Sequence, residues 1–132
     1  MSRGNSSESE EAGNGLDART PQMARMPWYP RDFSSSTRGW SVTARGVYRE
    51  LLDYQWDMGS LPVDPAQLRL LICATAAEWR KAWPLVAPKF PLGDDGRRRN
   101  GRLEVHRRRA VNLQERQRAG GIAGSTARWG PQ

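Results

Sequence analysis

The longest regular pattern in the chain lies between Ser41 and Gly59, and it constrains the fold more than any other feature. Apolar residues recur there every three or four positions, which predicts an α-helix with one buried face. Ser41 is suited to cap the first turn of this helix, and Gly59 to stop it. The predicted buried face consists of Ala44, Val47, Tyr48, Leu51, Leu52 and Gln55.

Two further helices are predicted after this one, each with its own start signal. Asp64 caps the segment PAQLRLLICA, whose Pro65 suits the first position of a helix. Thr75 and Glu78 form a capping box that starts the next helix, AAEWRKAWPLVA. Pro84 is expected to kink or shorten that helix near its end. The predicted core consists of Val47, Leu51, Leu52, Leu68, Leu71, Ile72, Trp79, Trp83, Val86 and Phe90.

The sequence pattern changes after Pro88 and predicts β structure. The segments KFPL and RRRNGRL have the character of short strands, and the turn sequence GDDG joins them. From Leu103 to Gln117 the pattern is again helical. Three helices followed by a hairpin is the element order of a winged helix-turn-helix, a mainly α fold with a small β-hairpin. On pattern alone, a plain helical bundle is an equal alternative.

The chain length suits one small domain with flanking segments. Residues 1–25 are polar and aperiodic, which predicts a disordered N-terminal extension. Residues 26–118 form the predicted winged-helix domain with a C-terminal basic helix, and residues 119–132 form a Gly-rich flexible tail. The domain opens with an extended arm, MPWYPRDF. Anchoring in the core is favoured for the arm's aromatic residues, and a stacking platform for nucleic acid is the alternative.

Positive charge is concentrated near the end of the chain. Residues 1–96 carry eleven Lys/Arg and twelve Asp/Glu, a sum of −1, whereas residues 97–132 carry ten Arg and two Glu, a sum of +8. Arg102, Arg109 and Arg116 are spaced seven apart and so share one face of the predicted helix. This local charge favours contact with a polyanion, and a merely solvated basic helix is the alternative.

The residues that usually carry catalysis or bind metals are scarce. One Cys and one His rule out a Cys/His zinc site within a single chain. Asp94 and Asp95 belong to a turn signal before they suggest a metal site. His106 lies on the apolar side of the basic helix and is expected to be half-buried and structural. We therefore expect no enzyme, no catalytic residue, no cofactor and no metal.

The cellular compartment is also predicted from composition. Cys73 stands in the apolar run LRLLICA and is expected to be a buried, inert thiol. A lone Cys cannot form an intrachain disulfide, which fits a reducing cytoplasm. No window approaches the roughly 18 consecutive apolar residues that a membrane span needs.

Six motifs stand out between about Met26 and Gly130: WYPRDF, RGVYRELLDYQW, LPVDP, WPLVAPKF, DDGRRRNGRLE and ARWG. Together they resemble the YdaU-like family of uncharacterised phage and prophage proteins. It implies a winged-helix, DNA-binding domain similar to those of phage replication-initiation proteins, with no assigned catalytic residues. Relatives begin near MPWYPRDF, and longer ones continue past ARWG into further replication-protein sequence.

With this resemblance, the expected function is binding of double-stranded DNA in phage or prophage replication initiation or its control. Arg80 and Lys81 on the third helix are the candidates for groove contact. Arg97, Arg98 and Arg99 on the wing, with Arg102 and Arg109 on the following helix, are the candidates for phosphate contact. The alternative is a replisome adaptor without direct DNA contact, whose partner is a replicative helicase or its loader. A third reading is single-strand binding through Trp28, Tyr29 and Trp40.

Overall fold

The fold is a small helical assembly, seen in a computed structural model that describes residues 19–21 and 24–129, with side chains up to residue 121. The helices are α1 (Pro30–Ser36), α2 (Val42–Met58), α3 (Pro65–Leu71), α4 (Ala76–Val86) and α5 (Gly101–Trp129). A short 3-10 turn, Ala87–Lys89, follows α4. Helix α2 is the central one, because both α4 and α5 pack against it.

Helix α2 confirms the pattern predicted between Ser41 and Gly59. The Ser41 side chain accepts a hydrogen bond from the Ala44 amide at 3.1 Å, which satisfies one free donor of the first turn. Gly59 has a φ of 100°, and its amide donates to the Gln55 carbonyl oxygen at 2.7 Å. All six residues of the predicted face are buried, including the polar Gln55.

Helices α3 and α4 also begin where their caps predict. The Asp64 carboxylate accepts from the Ala66 amide at 3.0 Å. Thr75 and Glu78 each accept from the other's backbone amide, at 3.1 and 2.9 Å, so the capping box is confirmed. Helix α4 ends two residues after Pro84 and passes into the 3-10 turn, as expected from a proline inside a helix.

The turn between α3 and α4 corrects the prediction of a buried thiol. The Cys73 amide donates to the Leu70 carbonyl oxygen and the Ala74 amide to that of Arg69, both at 3.1 Å, which is the bonding pattern of a Schellman motif. Cys73 has a φ of 60°, so it occupies the left-handed position where glycine is preferred. Its side chain is exposed, since it lies in the turn after α3 and not on the side of that helix that buries Leu68.

The core forms around α2, and three of its predicted members lie at the edge. Leu71 is exposed, while Ile72 and Trp83 are half-buried against the core. Helix α3 has only seven residues, and Leu68 is the one that it buries. Leu61, in the segment between α2 and α3, is buried completely although no periodic pattern marks it.

The prediction of a winged helix-turn-helix with a small β-hairpin is wrong, although the mainly helical part of it is confirmed. The GDDG turn forms, with the Gly93 amide donating to the Arg97 carbonyl oxygen at 2.7 Å. However, no strand forms in the described part of the chain, and only two isolated bridges join Arg98 to Leu61 and to Leu92. Three local features limit the pairing: the 3-10 turn before Phe90, the missing amide hydrogen of Pro91, and the start of α5 at Gly101.

The predicted flanking segments lie partly outside the described residues. The structure does not describe residues 1–18, 22 and 23 of the predicted extension or residues 130–132 of the predicted tail. Both domain boundaries therefore stay predictions. Within the extension, Thr20 is buried, and its amide donates to the Asp57 carbonyl oxygen at 3.3 Å. Helix α5 passes through the Gly-rich segment to Trp129. No helix in the described part of the chain combines the length and the apolar character needed to cross a membrane.

Candidate nucleic-acid interface

A polar network fixes the start of α5, the helix that carries most of the arginines of residues 97–132, to α2. The Asn100 side chain accepts from the Leu103 amide at 3.0 Å and so caps the first turn. The Gln55 side-chain oxygen accepts from the Asn100 backbone amide at 2.7 Å, and the Gln55 side-chain nitrogen donates to the Asn100 carbonyl oxygen at 3.1 Å. Because Gln55 is fully buried, this pairing sets the position at which α5 leaves the core.

A buried ion pair lies one turn further along α5. Arg107 and Glu104 are only 1% and 8% exposed, and two hydrogen bonds of 2.9 Å join the guanidinium to the carboxylate. Arg108 donates to the same carboxylate at 2.9 Å from a more exposed position. One carboxylate therefore holds two arginines of the basic run, and Arg107 cannot reach a ligand in solution.

Sequence reasoning missed this buried pair. Its only signal is that Glu104 precedes three consecutive arginines, at the spacing of three and four residues that brings side chains together on a helix. That spacing describes exposed pairs equally well, so burial could not be predicted from it.

The exposed cations of α5 lie on the opposite side of the helix. Arg102, Arg109 and Arg116 are exposed, and their seven-residue spacing places them on one face, away from the buried Leu103 and Arg107. Arg102 pairs with the Asp32 carboxylate at 3.3 Å and is still 69% exposed. Arg109 and Arg116 form no ion pair with any residue that the structure describes. We call Arg102, Arg109 and Arg116 the cation row.

Helix α5 also extends beyond the body of the protein. Every residue from 112 to 121 is exposed, so this part of the helix lies clear of the other described residues. It carries Arg116 of the cation row, Arg118 on another face, and a single acid, Glu115. A long partner can therefore approach this part of the helix from several sides.

The three arginines of the predicted wing are engaged within the protein. Arg97 donates through Nε to the Ser60 hydroxyl, and two hydrogen bonds of 3.1 and 2.6 Å join Arg99 to the Asp95 carboxylate. The Arg98 guanidinium lies 5.3 Å from the Trp83 ring centre and donates to the Phe90 carbonyl oxygen at 3.1 Å. These contacts hold the turn against the core, and a nucleic-acid role for the three residues stays a prediction.

The remaining predicted site residues, Arg80 and Lys81, lie on α4. Both are exposed, on the side of the helix opposite the buried Trp79, Ala82 and Val86. They belong to a different helix from the cation row, and neither forms an ion pair with a described residue.

Contacts within the fold shift the pKa of two other titratable groups, Asp95 and Tyr48. The hydrogen bond from Arg99 lowers the pKa of Asp95 to about 2, despite some desolvation that opposes the shift. Burial raises the pKa of Tyr48, although hydrogen bonds from Ser36 and Asn100 act against this. Within the described residues, no group of three His, Cys, Asp or Glu side chains could hold a metal ion.

Comparison with protein families matches residues 26–106 to the family described as Protein of unknown function (DUF1376), which covers more than half of the chain. The chain belongs to this family. No curated protein and no solved structure matches it. The matched segment begins at the aromatic arm and ends at His106, so it contains Arg102 but not Arg109 or Arg116.

Proposed function

We propose that the protein binds double-stranded DNA through the cation row of α5. The observation that carries the proposal is that Arg109 and Arg116 stand exposed on a projecting helix, without an acidic partner among the described residues. Unpaired arginines on one face are suited to phosphate oxygens, which accept hydrogen bonds from guanidinium groups.

The proposal has a quantitative consequence for the dependence of binding on salt. Each phosphate neutralised by the protein releases condensed counterions, and the logarithm of the affinity then falls by about 0.9 per decade of salt. Three contacts from the cation row would give a slope of about −2.7, or about 40-fold weaker binding at 200 mM than at 50 mM salt. Arg80 and Lys81 would add to this slope only if the DNA also reaches α4.

The test is to measure binding of a fluorescent blunt duplex by anisotropy over a range of salt concentrations. The double variant Arg109→Ala/Arg116→Ala removes two contacts and should lower the magnitude of the slope by about 1.8. Alanine favours helix, so α5 should stay intact.

The matched control is Arg25→Ala/Arg38→Ala, which removes the same net charge from exposed positions outside α5. Its slope should stay close to that of the wild type. Equal slopes for both double variants would show that net charge alone acts, and undetectable binding at low salt would refute the proposal.

We further propose that this DNA binding serves replication initiation, or its control, in a phage or prophage. The support is the resemblance of the motifs from WYPRDF to ARWG to the YdaU-like family. A chromatin immunoprecipitation of the tagged protein in its host tests this. Enrichment at a replication origin is expected, and enrichment only at promoters would contradict it.

A second candidate function is that of a replisome adaptor, and an exposed apolar surface favours it. Val63, Leu70 and Leu71, on and just before α3, are all exposed. A pull-down with a replicative helicase or its loader tests this candidate. The captured complex should survive nuclease treatment and high salt. Capture that is lost in Leu70→Asn would support the adaptor function, and capture that depends on the cation row would contradict it.

A further inference from the structure

An aromatic cleft opens beside the first turn of α5, between this helix, α1 and α2. Tyr29 lies against His106 on one side, with 5.7 Å between ring centres, and Trp28 lies against Phe33 at 4.8 Å. The buried Tyr48 lines the inner end. The cleft thus offers ring faces and edges around a single concave space.

The size of the cleft limits what it can hold. It has a volume of about 80 Å³, several times the roughly 10–15 Å³ that a site for one water needs. A space of this size suits one flat ring better than a helix.

The rim of the cleft carries one hydrogen-bond acceptor group and one donor group. Asp32 and Arg102 line it and are paired at 3.3 Å, with both side chains largely exposed. The carboxylate can accept and the guanidinium can donate a hydrogen bond at the polar edge of a bound ring. A ring with donors and acceptors on its edge and apolar faces therefore fits the lining.

Arg102 belongs both to this cleft and to the cation row. The next member, Arg109, lies about 10 Å further along the helix, from a rise of 1.5 Å per residue. A nucleotide whose phosphate contacts Arg102 would have its base within reach of the cleft. A partner's apolar side chain could fill the same space, but it would leave the adjoining cations without a role.

We propose that the cleft holds one unpaired base of a DNA strand whose phosphates lie along the cation row. The inference rests on the proposed function and adds to it a preference for duplex DNA with a single-stranded extension. Stacking on aromatic side chains supplies the affinity, and the Asp32 and Arg102 groups contact the edge of the base.

The experiment compares a blunt duplex with the same duplex carrying a short thymidine extension, by anisotropy at one salt concentration. One stacked base should strengthen binding of the extended duplex about tenfold over the blunt one. Tyr29→Ala should abolish this preference and leave the affinity for the blunt duplex unchanged. Tyr29 is 50% exposed, so its truncation should not unfold the domain.

Two matched variants sharpen the result. Tyr29→Phe keeps the ring and should keep the preference, while Val42→Ala changes an exposed apolar residue outside the cleft and should have no effect. Equal affinity of the wild type for both duplexes would overturn the base-binding cleft. If the cation-row variant still weakened binding to both duplexes, the proposed function would stand.

Two other results would also overturn the proposal. Binding to neither duplex would remove the proposed function and this inference together. Retention of the tenfold preference in Tyr29→Ala would place the base elsewhere on the protein.

Discussion

Replacing Glu104 by glutamine should strongly destabilise the protein, although the substitution keeps the shape of the side chain. The carboxylate makes two 2.9 Å hydrogen bonds to Arg107, whose side chain is almost fully buried. Without the negative charge, the guanidinium stays in a poorly solvated place and loses the carboxylate that offsets its charge. Breaking one side of a buried ion pair costs about 3–5 kcal/mol. The lost contact to the more exposed Arg108 adds at most about 1 kcal/mol.

That loss is a large share of the total stability, since the free energy of unfolding of a small domain is about 5–15 kcal/mol. Urea unfolding followed by tryptophan fluorescence measures it directly. The matched control is Glu115→Gln, on the same helix but exposed, which should change the free energy of unfolding by less than about 0.5 kcal/mol.

The double variant Glu104→Gln/Arg107→Met separates burial of an unpaired charge from loss of the hydrogen bonds. Replacing a buried pair by uncharged groups of similar volume is often nearly neutral. The double variant should therefore recover to within about 1 kcal/mol of the wild type. A small effect of Glu104→Gln alone, or a double variant as unstable as the single one, would refute the reasoning.

Two further predictions concern the turns. Cys73→Gly should raise the free energy of unfolding in urea by about 0.5–1 kcal/mol. The reason is that relief of the backbone strain at the left-handed φ of 60° outweighs the extra freedom of glycine in the unfolded chain. Equal stability of Cys73→Ala and Cys73→Gly would contradict this. The Asp95–Arg99 pair depresses a carboxyl pKa to about 2, so its stabilising effect is present above about pH 4 and is lost as the pH falls towards 2. The difference in urea midpoint between wild type and Asp95→Asn should therefore shrink between about pH 5 and about pH 2, and a constant difference would show that the pair contributes nothing.

Helices α2, α3 and α4 could be predicted because their signals are local. The Ser41 cap and the Thr75–Glu78 capping box act within one turn, and the spacing of apolar residues defines the buried face of α2. The cation row is local in the same sense, since its seven-residue spacing gives one face on any helix. The segregation of charge into residues 97–132 needs no structure at all.

The predicted hairpin failed because one of its two segments found its main backbone partner outside the hairpin, at a position distant in sequence. The turn at Gly93 formed as its residues predict, but Arg98 pairs mainly with Leu61, 37 positions away, with both backbone bonds at 2.9–3.0 Å. No local pattern marks Leu61 as that partner, and Asn100 starts α5 before a second strand can lengthen.

By itself the sequence determined the capped helices α2, α3 and α4 and where they start, and that the positive charge lies late in the chain. It did not determine α1, because Pro30–Ser36 is helical where the two prolines indicated an extended arm. Only the tertiary structure decided which arginines face solvent. Arg98, Arg107 and Arg109 look alike in the sequence, yet one packs on a tryptophan ring, one is buried with Glu104, and one is exposed. The physical reason is that an arginine's surroundings are set by the side chains that folding brings to it, and those come from other parts of the chain.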